Sequence, residues 1–297
     1  METVDTLARR IDTAESLQSV VTTMKALAAV TIQQLEGVVR SVDEYNRTVE
    51  LGLQVLLTHR PEGVVLVEPV LSDALGVVVF GSDQGMCGQF NEDIVTHAIQ
   101  DMRALVGADG ERAILAVGAR AVMHLEDAGL AIDDLLDAPA SADSIMPVVE
   151  EIALAVERWR VERGFDRVLL YFNQRDAGGS YRPSSRRLLP IDREWLERIE
   201  RRPWPTRVLP TFSMPWRPLF SRLMRQHLMV AIYRAVVQSM ISEHTARLAS
   251  MQAAESNIEE RLEDLRREFR QTRQSAITAE LLDIVSGFEA QRAGADL

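Results

Sequence analysis

The sequence predicts an α/β protein in which long N- and C-terminal helices form an antiparallel coiled coil, joined to a central Rossmann-like α/β domain with a mostly parallel sheet. Three observations predict this fold. Residues 219–286 contain neither glycine nor proline, residues 4–58 contain no proline, and the stretch between them alternates short apolar runs with helical patterns. The predicted segments are an N-terminal coiled-coil helix (1–60), a central α/β domain (61–210) and a C-terminal coiled-coil helix (211–297).

The N-terminal helix is predicted by apolar residues that recur mainly at steps of three and four. They are Leu7, Ile11, Ala14, Leu17, Val21, Met24, Ala28, Leu35, Val38, Val42, Tyr45, Val49, Leu53 and Leu56. This heptad pattern is typical of a coiled coil, and Asp5 or Thr6 can cap its first turn. Gly37 and Gly52 each cost a helix interior about 1 kcal/mol against alanine, which weakens the pattern locally without ending it. An unbroken helix of this length reaches about 80 Å.

The C-terminal helix carries the same kind of seam. Its members are Ile241, His244, Leu248, Met251, Glu255, Ile258, Leu262, Leu265, Phe269, Thr272 and Ala276. A continuous helix would extend roughly 100 Å, whereas a small domain is about 30 Å across, so the helix needs a partner beyond the domain. The N-terminal helix, with its matching seam, is the predicted partner. We expect the polar seam residues His244 and Glu255 to set the register of the pair.

The central segment alternates strands and helices, as expected for a covered parallel sheet. Strands are predicted at 76–80, 113–117 and 167–173, with an edge strand at 187–191. Helices are predicted at 91–106, 120–128 and 144–163, the first capped by Asn91. Prolines from Pro203 to Pro218 predict an extended connector before the C-terminal helix.

Composition excludes several classes of function. A net charge of −11 gives no support to nucleic-acid binding, and Lys25 is the only lysine among 297 residues. The single cysteine, Cys87, fits a reducing compartment. No stretch approaches 18 apolar residues, and no secretory or transit signal is recognised, so we expect no membrane span and use in a cytoplasm.

The stretch Gly81–Asn91 follows a predicted strand and opens a helix, where phosphate-binding loops occur. It lacks the lysine and hydroxyl residue of a Walker loop, and its glycine spacing does not fit a dinucleotide site. A structural loop is the favoured interpretation. Cys87 has no histidine near it in sequence, and the histidines lack metal-ligand spacing, so we predict no catalytic, cofactor-binding or metal-binding residues.

The end of the C-terminal helix, from Arg273 to Gly287, is apolar on too many sides for a free helix. We therefore expect other protein to enclose it.

Three separated motifs resemble the γ subunit of F-type ATP synthases, the rotor of the central stalk. The first is Gln18 to Ala29 with Met24-Lys25, and the second is the glycine loop, similar to the family's Ser-Asp-Arg-Gly-Leu-Cys-Gly-Gly-Phe-Asn. The third combines Ser242 to Arg247 with Phe269 to Gly287. Leu188-Leu189-Pro190 also fits, so the resemblance covers the chain in order.

The resemblance implies a subunit without a catalytic site or cofactor, which transmits torque between the membrane c-ring and a hexamer of α and β subunits. It implies proton or sodium translocation, contact with the ε subunit, and a peripheral place on the cytoplasmic side of the membrane. Arg273 and Gln274 would contact the β catch loop, and Lys25, Asp83 and Cys87 would lie near an acidic lever of β. The full set of expected subunit contacts is Met24, Lys25, Asp83, Gln84, Cys87, Arg247, Arg273, Gln274 and Thr278.

The sequence also departs from the family pattern. Gln84 replaces an arginine, Met86 a leucine and Gln89 a glycine, and cationic positions around Met24 are replaced as well, by Thr22, Thr31, Gln33 and Gln34. We interpret the chain as a divergent or alternative γ subunit. Two other hypotheses stay open from the residues: a coiled-coil scaffold or adaptor unrelated to ATP synthesis, and a nucleotide-using enzyme built on the α/β domain.

Overall fold

The computed structural model describes residues 3–64, 66, 74–106, 110–176, 178–208 and 210–293, with side chains through residue 286. The chain divides into two compact units. The first unit is Met1–Leu27 with Leu248–Leu297, and the second is Ala28–Arg247. Both boundaries fall inside long helices. The division into 1–60, 61–210 and 211–297 follows the order of elements along the chain and stays a prediction.

The described elements alternate as the sequence predicts. The helices are α1 (Val4–Thr58), α2 (Phe90–Val106), α3 (Ala119–Asp127), α4 (Ile145–Arg163), α5 (Arg193–Arg201) and α6 (Trp216–Ala293), with a short 3₁₀ turn at Ala142–Ser144. The strands are β1 (Leu75–Phe80), β2 (Arg112–Val117), β3 (Asp134–Leu136), β4 (Arg167–Arg175) and β5 (Tyr181–Leu189). Within the described part of the chain they form one sheet in the order β3-β2-β1-β4-β5. All neighbours pair in parallel except β4 and β5, which confirms a mostly parallel sheet.

In the first unit, α1 and α6 pair through the predicted seam. Leu7 on α1 and Met251, Leu262 and Leu265 on α6 are buried. Arg266 donates to Glu15 at 2.6 Å and Gln18 donates to Glu259 at 3.5 Å, while Thr22 donates to Glu255 at 3.2 Å. Partner numbers fall along α6 as they rise along α1, so the pair is antiparallel.

Three of the predicted seam residues are exposed in the structure, namely Leu17, Tyr45 and Ala276. The sequence pattern assigned Leu17 to the seam of α1, but its side chain is 54% exposed. The neighbouring Gln18 takes that place, and Lys25 takes the place one residue after Met24. Both polar side chains donate to acceptors on α6, Gln18 to Glu259 and Lys25 to Glu255. The hydrogen-bonding groups of these seam residues are therefore satisfied, and the apolar Leu17 lies outside the seam.

In the second unit, the sheet is packed on both faces. On one face, α4, α6 and the following part of α1 cover Val78, Leu115 and Leu170. On the other face, α2 and α3 cover Val77 and Ile114. Because α4 approaches the sheet closely, a Cβ at Gly76 would lie only 2.7 Å from the Trp159 ring.

Several elements differ from the prediction. β5 covers Tyr181–Leu189 rather than 187–191, since its long antiparallel pairing with β4 is not visible in its polar sequence. The short strand β3 and helix α5 were not predicted, and α5 begins where the Asp192 carboxylate accepts from the Glu194 amide at 3.0 Å. α6 begins at Trp216, inside the predicted connector. A proline is tolerated in its first turn because those amides have no helical acceptor.

Candidate functional site

Hydrogen bonds between Ser82 and the Asn91 side chain hold the glycine loop, Gly81–Asn91. The Asn91 Oδ1 atom accepts from the Ser82 amide at 2.9 Å, and Asn91 Nδ2 donates to the Ser82 hydroxyl at 2.9 Å. The sequence predicted Asn91 as the cap of α2, but α2 already begins at Phe90. Asn91 instead fastens the start of the helix to the end of β1, which fixes the path of the loop.

Both oxygens of the Asp83 carboxylate accept hydrogen bonds from backbone amides of the second unit. Its Oδ1 atom accepts from the Ala119 amide and its Oδ2 atom accepts from the Ala138 amide, both at 2.8 Å. Ala119 is the first residue of α3, so the carboxylate satisfies a free helix-terminal donor and faces the positive end of the helix dipole. Although exposed, Asp83 therefore ties the loop to two neighbouring segments.

Arg247 lies against the glycine loop although it is 163 residues from Gln84 in sequence. Its Nη2 atom donates to Glu243 Oε1 at 2.6 Å and faces the carbonyl oxygens of Gln84 and Gly85 at 3.4 and 3.5 Å. The arginine and glutamate side chains are only 8% and 13% exposed. Arg247 is therefore a buried clamp between α6 and the loop.

Burial shifts the pKa values of two residues next to Arg247, Glu243 and His244. Desolvation raises the pKa of Glu243, and the Arg247 charge and hydrogen bond oppose that rise. Burial, with a smaller contribution from Arg247, lowers the pKa of His244 to about 4. A neutral His244 accepts from Arg247 Nη1 at 3.2 Å. Sequence reasoning missed Glu243, although its i, i+4 spacing to Arg247 is the usual signal of a helical ion pair.

The Cys87 thiol is buried. It packs with Phe90 and Ala246, and its Sγ atom lies 3.6 Å from the Ser82 hydroxyl. Burial raises the pKa of the Cys87 thiol, whereas a reactive cysteine requires a lowered value. The thiol is therefore part of the packing beneath the loop.

The start of α2 presents negative charge. Glu92 and Asp93 lie in its first turn, and the Asp93 carboxylate accepts from the Tyr181 hydroxyl at 3.0 Å. A bound phosphate would meet these carboxylates without a lysine to offset them. This arrangement favours a structural loop over a nucleotide site.

Besides Asp83, the loop exposes the side chains of Gln84, Met86 and Gln89. Met86 is 54% exposed and has a φ of 62°. A residue other than glycine in this left-handed region of backbone conformation costs about 1 kcal/mol. Sequence reasoning did not assign Met86 a contact role, and only the structure shows that the loop presents it.

Met24 and Lys25 lie on α1 in the first unit, and both are half-buried. The Lys25 ammonium donates to Glu255 on α6, which also accepts from the Thr22 hydroxyl at 3.2 Å. The hydrogen bond from Lys25, followed by smaller contributions that include Thr22, lowers the pKa of Glu255. The single lysine of the chain is therefore engaged inside the helix pair.

Arg273, Gln274 and Thr278 lie near the C-terminal end of α6, where every described side chain after Thr272 is exposed. The Thr278 hydroxyl donates to the Gln274 carbonyl of its own helix at 2.9 Å. Large apolar side chains in this end segment, residues 273–286, are between 50% and 62% exposed; they are Ile277, Leu281, Leu282, Ile284 and Val285.

The predicted contact residues thus occupy three places. Met24 and Lys25 lie in the helix pair, Arg273, Gln274 and Thr278 lie on the end segment, and the structure joins Arg247 to Asp83, Gln84 and Cys87 at the glycine loop. In the part of the chain that the structure describes, no group of three or more His, Cys, Asp or Glu side chains is placed to hold a metal ion. Nor is any described helix both long and apolar enough to traverse a bilayer. The paired long helices, the α/β unit and the exposed apolar end segment together define a class of coiled-coil α/β proteins.

Comparison with known proteins assigns the family. A sequence model of the family described as ATP synthase matches residues 3–291. The ATP synthase gamma chain of Nitrosomonas eutropha is 23% identical over 298 residues, with 96% of this chain and 98% of the relative covered. The gamma chain of Syntrophus aciditrophicus is 25% identical, with 99% and 100% covered. The chain belongs to the ATP synthase family, as a γ chain.

Solved structures share its fold. A chain from the Euglena gracilis mitochondrial ATP synthase, in a structure of OSCP/F1/c-ring, matches with a TM-score of 0.64 at 18% identity and covers 99% of this chain and 96% of its own length. A chain of the rotor from the same organism gives a TM-score of 0.60 at 16% identity, covering 92% and 98%. A chain from the central stalk/c-ring of the Tetrahymena thermophila enzyme gives 0.57 at 20% identity, covering 79% and 99%.

Proposed function

We propose that this γ chain is the central-stalk rotor subunit of a proton- or sodium-translocating F-type ATP synthase. It transmits torque between a membrane c-ring and a catalytic hexamer of α and β subunits. Membership of the γ family supports this function, and so do the titles of the similar structures, which name a rotor and a central stalk with its c-ring. The chain works as a peripheral subunit on the cytoplasmic side of the membrane, also in contact with an ε subunit.

The end segment of α6 is the observation that carries the proposal. At about 100° per residue, its large apolar side chains cover an arc of about 160°. A helix that packs on one neighbour needs an apolar stripe of about 100°. The wider arc, unpaired in the described structure, therefore fits a sleeve of surrounding protein, as an α/β hexamer would provide.

The helix pair supplies the mechanical element. Hydrogen bonds and ion pairs cross between α1 and α6 at Glu15, Gln18, Thr22 and Lys25. These contacts oppose sliding of one helix along the other, so torque applied at one part of the pair is carried along it. The chain drives the β sites through their binding states by its asymmetry, and nucleotide chemistry takes place in the partner subunits.

The residue assignments refine this proposal. Arg273, Gln274 and Thr278 are exposed on the end segment and are proposed contacts of the β catch loop. At the glycine loop, Gln84 is exposed and is the proposed contact. Asp83, Cys87 and Arg247 hold the loop in place through the bonds described above, so we assign them a positioning role.

Co-purification tests the proposal. An affinity-tagged chain, extracted with its native membranes in mild detergent, is expected to elute with α, β, ε and c subunits identified by mass spectrometry. The complex should couple ATP hydrolysis to ion pumping in vesicles. Elution as an isolated homodimer would support a coiled-coil scaffold instead.

A titration addresses the nucleotide-enzyme alternative. The isolated chain, mixed with ATP or NAD in a calorimeter, is expected to show no saturable binding because the glycine loop lacks a lysine and opens onto Glu92 and Asp93. Micromolar affinity for either nucleotide would contradict the structural interpretation of the loop.

A further inference from the structure

Three carboxylates on α1 lie at intervals of seven residues. They are Glu36, Asp43 and Glu50, which we call the carboxylate stripe. Seven residues make nearly two full helical turns, so the three side chains stay on one side of α1 and drift by only about 20° per interval. Together they span about 21 Å of the helix.

Each carboxylate of the stripe pairs with an arginine from a different part of the second unit. The pairs and their N–O distances are Arg175 of β4 with Glu36 (2.6 Å), Arg234 of α6 with Asp43 (2.5 Å), and Arg202, next to the end of α5, with Glu50 (2.9 Å). The stripe therefore ties α1 to the sheet, to α6 and to the end of α5.

The carboxylate stripe borders the apolar seam of α1. Leu35 and Val49 each precede one of its carboxylates by one residue and are only 1% and 4% exposed. Val42, which precedes the remaining carboxylate, is half-buried. Charged residues at this place beside an apolar seam are the ones that set the orientation of paired helices.

Rotation of α1 about its own axis separates the effects of the seam and the stripe. Apolar burial is non-directional, so the seam gives little resistance to a small rotation. Charge-assisted hydrogen bonds depend on distance and angle, and a rotation would displace all three carboxylates in the same direction. The Glu36 and Asp43 side chains are each 47% exposed, so these pairs contribute little to the free energy of unfolding. Their main effect is on orientation.

We infer that Glu36, Asp43 and Glu50 are positioning residues, which fix the rotational setting of α1 on the sheet and α6 so that α1 turns with them under torque. This inference rests on the proposed function. The attachment is reinforced at one end, where the buried Gln54 side chain donates to the Arg202 carbonyl oxygen. Without the ion pairs, part of an applied rotation would be lost as twisting of α1 against the sheet.

Neutral side chains of nearly the same shape test the inference. The amide variant carries Glu36→Gln, Asp43→Asn and Glu50→Gln in the full-length chain. Its melting temperature is expected to stay within about 2 °C of the parent, because partly exposed ion pairs add little stability.

Distances between α1 and the sheet are measured by electron paramagnetic resonance. Spin labels are attached at Ser41→Cys on α1 and Ser185→Cys on β5, both exposed positions, with Cys87→Ser in every protein compared. The distance distribution of the amide variant is expected to be about twofold wider than that of the parent, because neutral amides replace charge-assisted bonds with weaker ones.

Rotation is measured in the whole complex. The α/β hexamer is fixed to a surface, a bead is attached to the c-ring, and the angular variance of the bead is recorded during pauses at low ATP. The amide variant is expected to show about twofold larger variance, because loss of the directional pairs leaves only the apolar seam to resist twisting.

Two further variants are controls. Glu44→Gln removes an exposed carboxylate one residue off the stripe on the same helix, and it is expected to change neither the distances nor the variance. Glu36→Asp with Asp43→Glu and Glu50→Asp keeps all three charges, and it should recover most of the parent's narrow distribution.

Several outcomes would overturn the inference. Unchanged distances in the amide variant would show that the seam alone sets α1, and equal widening in Glu44→Gln would show that any lost charge acts alike. A large fall in melting temperature would mean that the pairs hold the fold, and wider distances with unchanged variance would mean that they carry no torque. If the parent chain does not assemble with α and β subunits, the proposed function itself fails, while the distances still decide whether the stripe positions α1.

Discussion

Polar residues inside the helix pair are satisfied across the seam. Glu255 accepts from both Lys25 and Thr22, and Gln18 donates to Glu259. Such residues set the register of a coiled coil because any slip would leave them without partners. Glu255 therefore has the role expected of a polar seam residue. His244, the other predicted one, lies in the second unit and accepts from Arg247.

Lys25→Ala tests how far the single lysine matters. We expect the complex to assemble and its coupling ratio to fall only modestly, because Thr22 still donates to Glu255 and the ion pair is partly exposed. Gel filtration of the complex and ion pumping per ATP are the measurements. Lys25→Arg, which keeps the charge, is the control; complete loss of assembly in Lys25→Ala alone would contradict this view.

His227 is a half-buried base in the second unit. Its ring stacks on Trp195 with centroids 4.0 Å apart, and its Nδ1 atom has no hydrogen-bond partner among the described residues. Burial, helped by Arg186 and Arg234 and opposed by Glu50, lowers the pKa of His227 to about 4. Because a free histidine titrates near 6.5, the unfolded chain binds a proton that the folded chain excludes as pH falls between these values.

His227→Phe is expected to flatten the pH dependence of stability. The wild-type free energy of unfolding should fall as pH drops from about 6.5 toward 4, and the variant should lose about 1 to 2 kcal/mol less by pH 5. Phenylalanine keeps a ring against Trp195, so packing is retained. Urea unfolding at several pH values measures the difference, and parallel profiles for the two proteins would contradict the assignment. The pKa of His244 is also lowered to about 4, so this residue affects stability over the same pH range. Its contribution is the same in the wild type and the variant.

At the scale of elements, the glycine loop depends on α6. Arg247 joins the helix to the loop carbonyls, while Asp83 joins the loop to α3 and Asn91 joins it to α2. These three contacts position the exposed loop residues Gln84 and Met86. Loss of one of the contacts should therefore lower the stability of the second unit and weaken the contact of the loop with partner subunits.

Arg247→Met is expected to destabilise the second unit by about 3 to 5 kcal/mol, because it leaves the Glu243 carboxylate buried without its partner. Urea unfolding measures this loss. Adding Glu243→Gln should restore part of it, since the unpaired charge is removed.

Arg267→Met is the control for the clamp. Arg267 is 72% exposed and, among the described residues, pairs with the surface residue Asp264 at 3.5 Å. Its removal should cost about 0 to 1 kcal/mol. Equal losses in the two variants would show that Arg247 is no more than a surface arginine.

At the scale of the molecule, the end segment is a part of the first unit that the described residues of the chain do not cover. Thr272 is half-buried in the seam of α6, and the following described side chains, through residue 286, are exposed. Their exposed apolar surface fits the proposed contact with other protein. The isolated chain should therefore aggregate more readily than the complex.

Removal of residues 273–297 tests this division of roles. The melting temperature of the helix pair should stay unchanged because the seam is intact, and the isolated chain should aggregate less. Recovery of α and β subunits with the tagged chain should fall. Ile277→Asp with Leu281→Asp should act in the same direction, and Leu154→Asp is the control. A lower melting temperature in the truncated chain would mean that the end segment packs within the chain.

Much of the fold was predictable because its signals are local. α1 matches its predicted range, Val4–Thr58, and the strands at 76–80 and 113–117 agree to within one residue. Absence of proline and a sustained heptad period require no knowledge of distant contacts. β5 and α5 were misjudged because pairing and packing partners, rather than their own composition, stabilise them.

The candidate site was predicted less completely. The sequence identified the glycine loop and the end segment, but it gave no sign that Arg247 meets Gln84. It also assigned Leu17 to the seam, because heptad stripes on adjacent residues look equally regular when both contain apolar side chains. Choosing between them depends on acceptors contributed by the other helix.

The sequence by itself determined two long helices, an α/β domain between them, the absence of a Walker loop and an end segment too apolar to stand alone. These follow from backbone propensity and hydrophobic period, which act over a few residues. Tertiary structure decided which heptad stripe faces α6, where the lone lysine is neutralised, and how α6 holds the glycine loop. Those outcomes depend on the free energy of satisfying buried charges and hydrogen bonds, and that free energy exists only once distant residues meet.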